Sequence, residues 1–353
     1  MSDVRGRRVG LREIALDPAA LGLGPTDALE VAPTVLLGRA CLRLPDTFRS
    51  PVIPALELRD GAIEADLLVP AERSFHGLQW HARGDDAETF FVRPHQVGNP
   101  DAIQYTPVSH GISSWQLYHG PGFWAPISFP VGAWFTLRVA FAAERAEVFV
   151  GDLERPALAI GRLRHGAVNG GIGLLVGGPG LHVARLAWSA IPPPFVDAAP
   201  FPEPEIPGRV ARWEVSDPFA ESRVAAATEL PAAIVAERRW SPLAAEPSGL
   251  ADLGRVNGIV GDRNTVLARA TIESSAAAVR PLAFGFSDRA SVFLNGRRLF
   301  RGDDAYRSRD YRFLGSIGYW YTLDLALAPG RNDLVFAVSE DFGGWGVMAR
   351  LLD

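Results

Sequence analysis

From about residue 35 to residue 188, and again from residue 265 to the end, the chain is made of short apolar–polar alternations. Each is stopped by glycine, proline, asparagine or aspartate. Residues 62–69, Ala-Ile-Glu-Ala-Asp-Leu-Leu-Val, are one such run, and 77–83, 89–93, 135–141 and 146–150 are others. Alternation sends successive side chains to opposite faces, the period of a half-buried strand and not of a helix. The 36 glycines and 28 prolines supply the turns such strands need. Long amphipathic helical stretches are absent. The expectation is an all-β protein with two antiparallel β-sandwich domains in tandem.

A length of 353 residues suits two domains better than one. The join is expected near residue 195, where Ile191-Pro-Pro-Pro and Pro200-Phe-Pro-Glu-Pro-Glu-Ile-Pro207 make a stiff, extended piece that is a poor strand. This gives domains of 1–195 and 196–353. In the second, 209–215 reads as a first strand, and 225–240 as a short helix interrupted by Pro231. Asn295-Gly296, between Val292-Phe-Leu and Arg298-Leu-Phe, is the strongest hairpin signal in the chain, because a type I′ turn needs positive φ at both central residues. No repeat of fixed period is present.

Composition removes several classes of function. The chain is 48% hydrophobic and 21% charged, as packed domains are, and its net charge of -5 gives no basic footprint for nucleic acid. It contains no lysine: all 35 basic residues are arginine. That excludes a lysine Schiff base, a pyridoxal phosphate linkage and a P-loop. Cys41 is the single cysteine, so no intrachain disulfide forms, and its apolar surroundings at 35–44 read as core. The Met1-Ser-Asp-Val-Arg-Gly-Arg-Arg start carries charge without an apolar stretch behind it, and no run is long enough to span a membrane. A cytoplasmic location is expected for the chain as written, and a secreted or periplasmic one if a leader has been removed.

One region has the look of a site. Residues 75–135 hold 12 of the 34 aromatics and five of the seven histidines: His76, His81, His95, His110 and His119. Strand parity puts Gln79, His81 and Arg83 on one face, opposite Leu78, Trp80 and Ala82. Arg93 joins that polar set from the next strand, Gln104 from a third, and Gln116 and Tyr118 from a fourth. Planar amides and guanidinium groups hydrogen-bond sugar hydroxyls, and aromatic rings stack on the apolar face of a pyranose. The structural alternative is a solvated outer face, but such a face carries more Asp and Glu than this one. Trp115 has core parity and would reach the face through a bulge.

Two stretches resemble known families. Residues 60–189 are similar to the concanavalin A-like lectin/glucanase (laminin G-like) jelly roll, through Gly61-Ala-Ile-Glu-Ala-Asp66, Gly77-Leu-Gln-Trp-His-Ala-Arg83, Trp134-Phe-Thr-Leu-Arg-Val139 and Gly171-Ile-Gly-Leu174. The block 88–107 resembles uncharacterised bacterial members. The second half resembles the galactose-binding-like jelly roll found beside glycosidase domains, through Val292-Phe-Leu-Asn-Gly-Arg297, Leu327-Ala-Pro-Gly-Arg-Asn-Asp-Leu334 and Phe342-Gly-Gly-Trp-Gly-Val347. These resemblances imply a concave sheet that presents a glycan, and they are compatible with calcium, although no dense carboxylate cluster stands out. There is a departure. Glucanases of this fold carry Glu-x-Asp-x-x-Glu, and here Glu64 and Asp66 are followed by Val69, so the carboxylate pair of a retaining mechanism is incomplete.

The reading is a carbohydrate-associated protein that recognises an oligosaccharide through Gln79, His81, Arg83, Arg93, His95, Gln104, Trp115, Gln116 and Tyr118. No cofactor or metal is called for by any motif, and no nucleic-acid or membrane partner is expected. The alternative is a glycoside-active enzyme with Glu88, His81 and His95 as acid, base or metal ligands, although no complete catalytic motif is present. A third is a scaffold without a small ligand. In the second half, Gly343-Gly-Trp345-Gly is either a tight loop that packs Trp345 or a tip that stacks a sugar. Tyr306, Arg307, Arg309 and Asp310 form a polar loop.

Overall fold

The computed structural model describes residues 10–196, 198–310 and 314–352. The charged start at Met1–Arg8 lies outside the described residues. The protein is all-β, about half strand, and it divides into two compact units. One comprises Met1–Val108 and Tyr118–Pro202; the other comprises Ser109–Leu117 and Glu203–Asp353. The division after Pro202 falls inside the proline-rich stretch. The short segment Ser109–Leu117 belongs to the second unit although it sits in the middle of the first unit's sequence. No helix among the described residues is long and apolar enough to cross a membrane.

In the first unit, one sheet runs Leu158–Ile160, Arg145–Val150, Phe135–Ala142, Gly61–Leu68, His182–Ser189, Arg39–Arg43, Ala32–Leu36. The facing sheet runs Ile103–Ser109, Asp86–Val92, His76–Arg83, Gly170–Gly178, Thr47–Arg49. Alternation buries Ile63, Ala65 and Leu67 of one strand against Trp80, Phe90 and Ile172 of the other sheet. Trp80 stacks between Tyr105 and Phe141, with ring centroids 6.1 Å from each.

The outer face of Gly61–Leu68 is not solvated as a polar strand face usually is. Glu64 is fully buried. It lies directly opposite Arg138 in the ladder, accepts from Arg138 Nε at 2.7 Å, and takes a second guanidinium, Arg185 Nη1, at 2.6 Å. Asp66 is held by Arg39 at 2.6 Å and Thr136 at 2.8 Å. The two carboxylates of the incomplete glucanase motif are therefore ion-paired strand residues. A buried carboxylate needs such partners because desolvation is otherwise prohibitive.

The second unit pairs a six-stranded sheet with a four-stranded one. The first runs Trp240–Ala244, Arg212–Ser216, Thr265–Ser274, Gly330–Ser339, Arg289–Leu294, Arg297–Asp303; the second runs Leu250–Asp252, Gly346–Leu351, Ala278–Ser287, Tyr321–Leu327. Trp213, Phe284, Phe286, Phe336 and Trp345 fill the space between them. Asn295 and Gly296 have φ of 50° and 85°, the two positive values that the hairpin between 289–294 and 297–303 requires. The helix expected over 225–240 is only Ala232–Ala236; Pro231 caps its start and does not interrupt it.

Candidate functional site

The polar face expected in the first unit exists in sequence but is closed in the fold. Gln79 is buried and donates from Nε2 to the carbonyls of Ser50 at 2.6 Å and Pro51 at 3.0 Å. Gln104 is buried and donates to the carbonyl of Tyr118 at 2.6 Å. Arg93 is buried, donates to the carbonyl of Asp101 at 2.7 Å and to the Gln104 side chain, and lies 4.8 Å over the Phe91 ring. Burial lowers its pKa to about 10. Tyr118 is buried beside Phe123, with centroids 5.4 Å apart, and below the Arg164 guanidinium. Arg83 is exposed and His95 half-buried. In the fold, most of the amide and guanidinium donors of this expected face already serve backbone carbonyls.

His81 departs from the expected parity for a local reason. The pairing with Asp86–Val92 shifts register between Trp80 and Arg83, and His81 has a φ of 52°. A bulge of this kind re-aims a side chain. The imidazole consequently meets Phe141 of the core at 5.2 Å, edge-on, and bonds the carbonyl of Arg59 at 2.9 Å. Burial, ahead of every charge nearby, lowers its pKa.

Glu88, His81 and His95, the residues expected as an acid–base set, lie in separate buried or half-buried surroundings. Glu88 is fully buried, accepts the Tyr105 hydroxyl at 2.6 Å and the backbone N–H of His165 at 2.7 Å. Burial raises the Tyr105 pKa well above its ordinary value, and Glu88 adds to this. His95 packs edge-on against Phe75 at 5.5 Å, in the company of Arg73, Arg93 and Asp101, which are not the surroundings of His81. Among the described residues no three His, Cys, Asp or Glu side chains converge as metal ligands. Glu88 closes a buried hydrogen-bond network with Tyr105 and His165.

Chemistry that the sequence left dispersed collects instead at one end of the second unit. The strand Ala278–Ser287 leads into Asp288, and the strand Gly330–Ser339 leads into Glu340 and Asp341. The backbone N–H of Asp288 bonds the carbonyl of Ser339 at 3.0 Å, which fixes the two strand ends side by side. Asp288 is buried; its Oδ2 accepts the N–H groups of Asp341 at 3.0 Å and Phe342 at 3.2 Å, and its Oδ1 has no partner among the described residues. Glu340 is fully buried; its Oε1 accepts the N–H of Gly344 at 2.9 Å, and its Oε2 has no partner among the described residues. Burial is the first cause that raises Asp288 to about 6, and burial followed by the charge of Asp288 raises Glu340 well above its ordinary value. Arg289 bridges Asp341 at 2.6 Å and Glu221 at 2.8 Å, and it holds Asp341 below the usual carboxylate range.

These two carboxyls pin the loop 340–344, and the segment Ser109–Leu117 packs on it. Gln116 is buried, its N–H donates to the carbonyl of Gly343 at 2.8 Å, and its Nε2 donates to Leu314 at 2.7 Å. Gly343 has a φ of 109°, and a Cβ there would lie 1.9 Å from Gln116 Oε1, so only glycine allows the approach. Gln116, expected on a ligand face, is thus a structural clamp.

Trp115, its neighbour, is half-buried and joins two more rings. Trp115, Tyr306 and Phe342 meet pairwise edge-on, with centroids 5.9 Å (Trp115–Tyr306), 5.7 Å (Trp115–Phe342) and 6.2 Å (Tyr306–Phe342) apart. Phe342 is 59% exposed. The Arg307 guanidinium lies 4.9 Å over Tyr306. Trp345 is buried between the sheets, so the Gly343-Gly-Trp345-Gly stretch packs its tryptophan, and Phe342 is the aromatic that faces solvent. Of the sugar-contact residues expected from sequence, Trp115 alone enters this cluster. The meeting of Phe342 and Tyr306 with Trp115 was not legible in the sequence because their loops have no strand period to read. The juxtaposition of Asp288 with Glu340 depends on a non-local strand pairing.

No protein-family model matches the sequence, and no curated protein matches it. Among solved structures, the chain is similar to the Caenorhabditis elegans galectin LEC-6, with 16% identity over 41% of this chain and 92% of that one and a TM-score of 0.30. It is similar to the carbohydrate-binding module CBM66 from Bacillus subtilis, with 10% identity over 51% of this chain and 91% of that one and a TM-score of 0.27. It is also similar to the Trypanosoma rangeli sialidase, with 12% identity over 43% of this chain, 25% of that one and a TM-score of 0.29. The structural neighbours thus include carbohydrate-binding and glycan-active β-sandwich proteins, each alike over about half of this chain or less.

Proposed function

We propose that the protein recognises glycans and that the Trp115, Tyr306 and Phe342 rings of the second unit form the surface that receives them. The observation that carries the reading is this cluster, with Phe342 59% exposed. An exposed aromatic group held in place by neighbouring rings gives the apolar face of a pyranose a flat partner at little entropic cost. Arg307 on the adjoining loop and Asp303 at the end of the strand before it, both exposed, offer a donor and an acceptor for hydroxyls. The reading moves recognition away from the first unit, where Gln79, Arg93 and Gln104 serve backbone carbonyls.

The test is thermal unfolding against a panel of oligosaccharides, since a ligand that binds the native state raises the midpoint by mass action. Phe342→Ala is expected to weaken binding by about 30-fold, the size of an aromatic hot-spot truncation of about 2 kcal/mol. His81→Ala is expected to lower stability and leave the affinity of the folded protein unchanged. If Phe342→Ala binds every responsive sugar as tightly as the native chain, the cluster is not the receiving surface.

One observation favours a second reading, a glycoside-active enzyme. Asp288 and Glu340 are carboxyls with raised pKa values, the property of catalytic acids. Analysis of products in the same mixtures separates the two readings: cleaved oligosaccharide that disappears in Glu340→Gln supports the enzyme.

A further inference from the structure

A groove of about 380 Å³ opens in the first unit, where residues 13–16 run beside the strand His182–Ser189. Small-molecule sites have volumes of about 300–1,000 Å³. Glu13, Arg39 and Arg185 line the groove together with Ala15, Leu16 and Ala184. It belongs to the sheet that carries Glu64 and Asp66, not to the one that carries Gln79 and Gln104.

A bulge brings Arg185 there. In the pairing of His182–Ser189 with Gly61–Leu68, Val183 stands opposite Leu67 and Arg185 opposite Asp66, with Ala184 extra. In an unbroken ladder Arg185 would stand opposite Ala65 and face the core. The extra residue turns it to the polar face. Both guanidinium groups are then fixed from behind. Arg185 Nη1 donates to the buried Glu64 at 2.6 Å. Arg39 Nη2 donates to Asp66 at 2.6 Å, and its guanidinium lies 5.0 Å from the centre of the Trp134 ring. The remaining contact is of another kind. Arg185 Nε donates to Glu13 at 3.1 Å, and the Glu13 side chain is 73% exposed. An ion pair so open to water contributes little, so Glu13 yields to a competitor at small cost.

We propose that this groove binds a ligand carboxylate, specifically that of a hexuronic acid residue in an acidic glycan, in the place that Glu13 takes on Arg185. The sugar part rests on the glycan reading above, and the carboxylate part stands on the groove itself. Glu13 already seats a carboxylate there, so Arg185 is reached from the groove side. Arg39, Arg138 and Arg185 balance Glu13, Glu64 and Asp66, three charges against three. When Glu13 swings into water, three cations face two carboxylates, and a ligand carboxylate restores the balance. A hydroxyl brings no charge and cannot. A guanidinium fork grips a planar carboxylate through paired N–H groups. Ala15, Leu16 and Ala184 give the C–H face of the ring an apolar wall.

Isothermal titration at pH 7 with the α-1,4-linked galacturonate trimer and with its fully methyl-esterified counterpart tests the proposal. The acid form is expected to bind at least about tenfold tighter, the ratio of one charge-assisted hydrogen bond. Glu13→Gln removes the competitor at an exposed position. It is expected to tighten the acid form about two- to five-fold, the range of an exposed ion pair, and to leave the ester unchanged. Arg39→Gln is expected to weaken the acid form by about tenfold; it also unpairs Asp66, so Glu13→Gln decides the matter if that variant does not fold. Equal affinity for acid and ester overturns the carboxylate site and leaves the glycan reading standing, since Phe342→Ala tests that reading in the other unit. Acid affinity that is unchanged or weaker in Glu13→Gln overturns the exchange at Arg185. Inorganic sulfate or a glutamate-rich peptide that competes as well as the trimer overturns the sugar acid. Absence of binding by both forms overturns the inference; neutral oligosaccharides that still raise the unfolding midpoint keep the glycan reading, and a panel without effect removes both.

Discussion

Replacing Asp288 by asparagine should make the protein more stable at neutral pH and flatten its response to pH. Burial lifts the Asp288 carboxyl from its ordinary value of 3.8 to about 6 in the fold. Between those values the folded chain binds a proton that the unfolded chain has released. Stability is therefore full below pH 4 and falls as pH rises through 6. The displacement corresponds to about 3 kcal/mol. Asparagine has no charge to bury and keeps an oxygen for the N–H groups of Asp341 and Phe342. The assay is urea unfolding followed by tryptophan fluorescence from pH 4 to 7, fitted with one transition per unit. The difference between variant and native stability should grow by about 3 kcal/mol across that range, all of it in the second unit's transition. A difference that does not change with pH would refute the reasoning, as would one that shrinks.

Two further outcomes follow from geometry. Gly343→Ala places a Cβ 1.9 Å from Gln116 Oε1 at a φ of 109°, and a loss of about 2 kcal/mol, roughly 4–8 °C in Tm by calorimetry, is expected; an unchanged Tm would show that Gln116 does not clamp the loop. Arg93→Ala strips donors from Gln104 and from the carbonyl of Asp101, so chemical unfolding should register a loss of about 3 kcal/mol while oligosaccharide affinity holds. An affinity loss without a stability loss would return Arg93 to the ligand face.

The architecture was legible because it rests on local period. Residues 62–69 alternate, and the strand they form buries Ile63, Ala65 and Leu67 as alternation requires. Asn295-Gly296 announces its own turn through backbone sterics that any two such residues share. The site was less legible, for two physical reasons. Period-two reasoning assumes an unbroken strand, and the bulge at Trp80–Arg83 turned His81 into the core. It also cannot distinguish a polar face that meets water from one that meets another stretch of backbone. Gln79, Arg93 and Gln104 are polar because carbonyls need donors, and the sequence carries no record of which segment supplies those carbonyls. Asp288 and Glu340 meet only when Arg289–Leu294, the strand after Asp288, pairs with Gly330–Ser339, the strand before Glu340, and nothing local in either segment foretells it.

The segment Ser109–Leu117 has a consequence for how the molecule is made. It emerges from the ribosome with the first unit's strands, long before the loop 340–344 that it clamps exists. Contacts so distant in sequence form late and slowly. The nascent chain must therefore carry Trp115 and Leu117 unsheathed while most of the second unit is still to be synthesised, the condition in which apolar groups recruit chaperones or misassociate. For the same reason a polypeptide beginning at Glu203 is an unfinished unit, whose missing piece is nine residues encoded far upstream. The two sandwiches are consequently inherited together: a recombination event at the proline-rich stretch would separate the second from a part of its own wall.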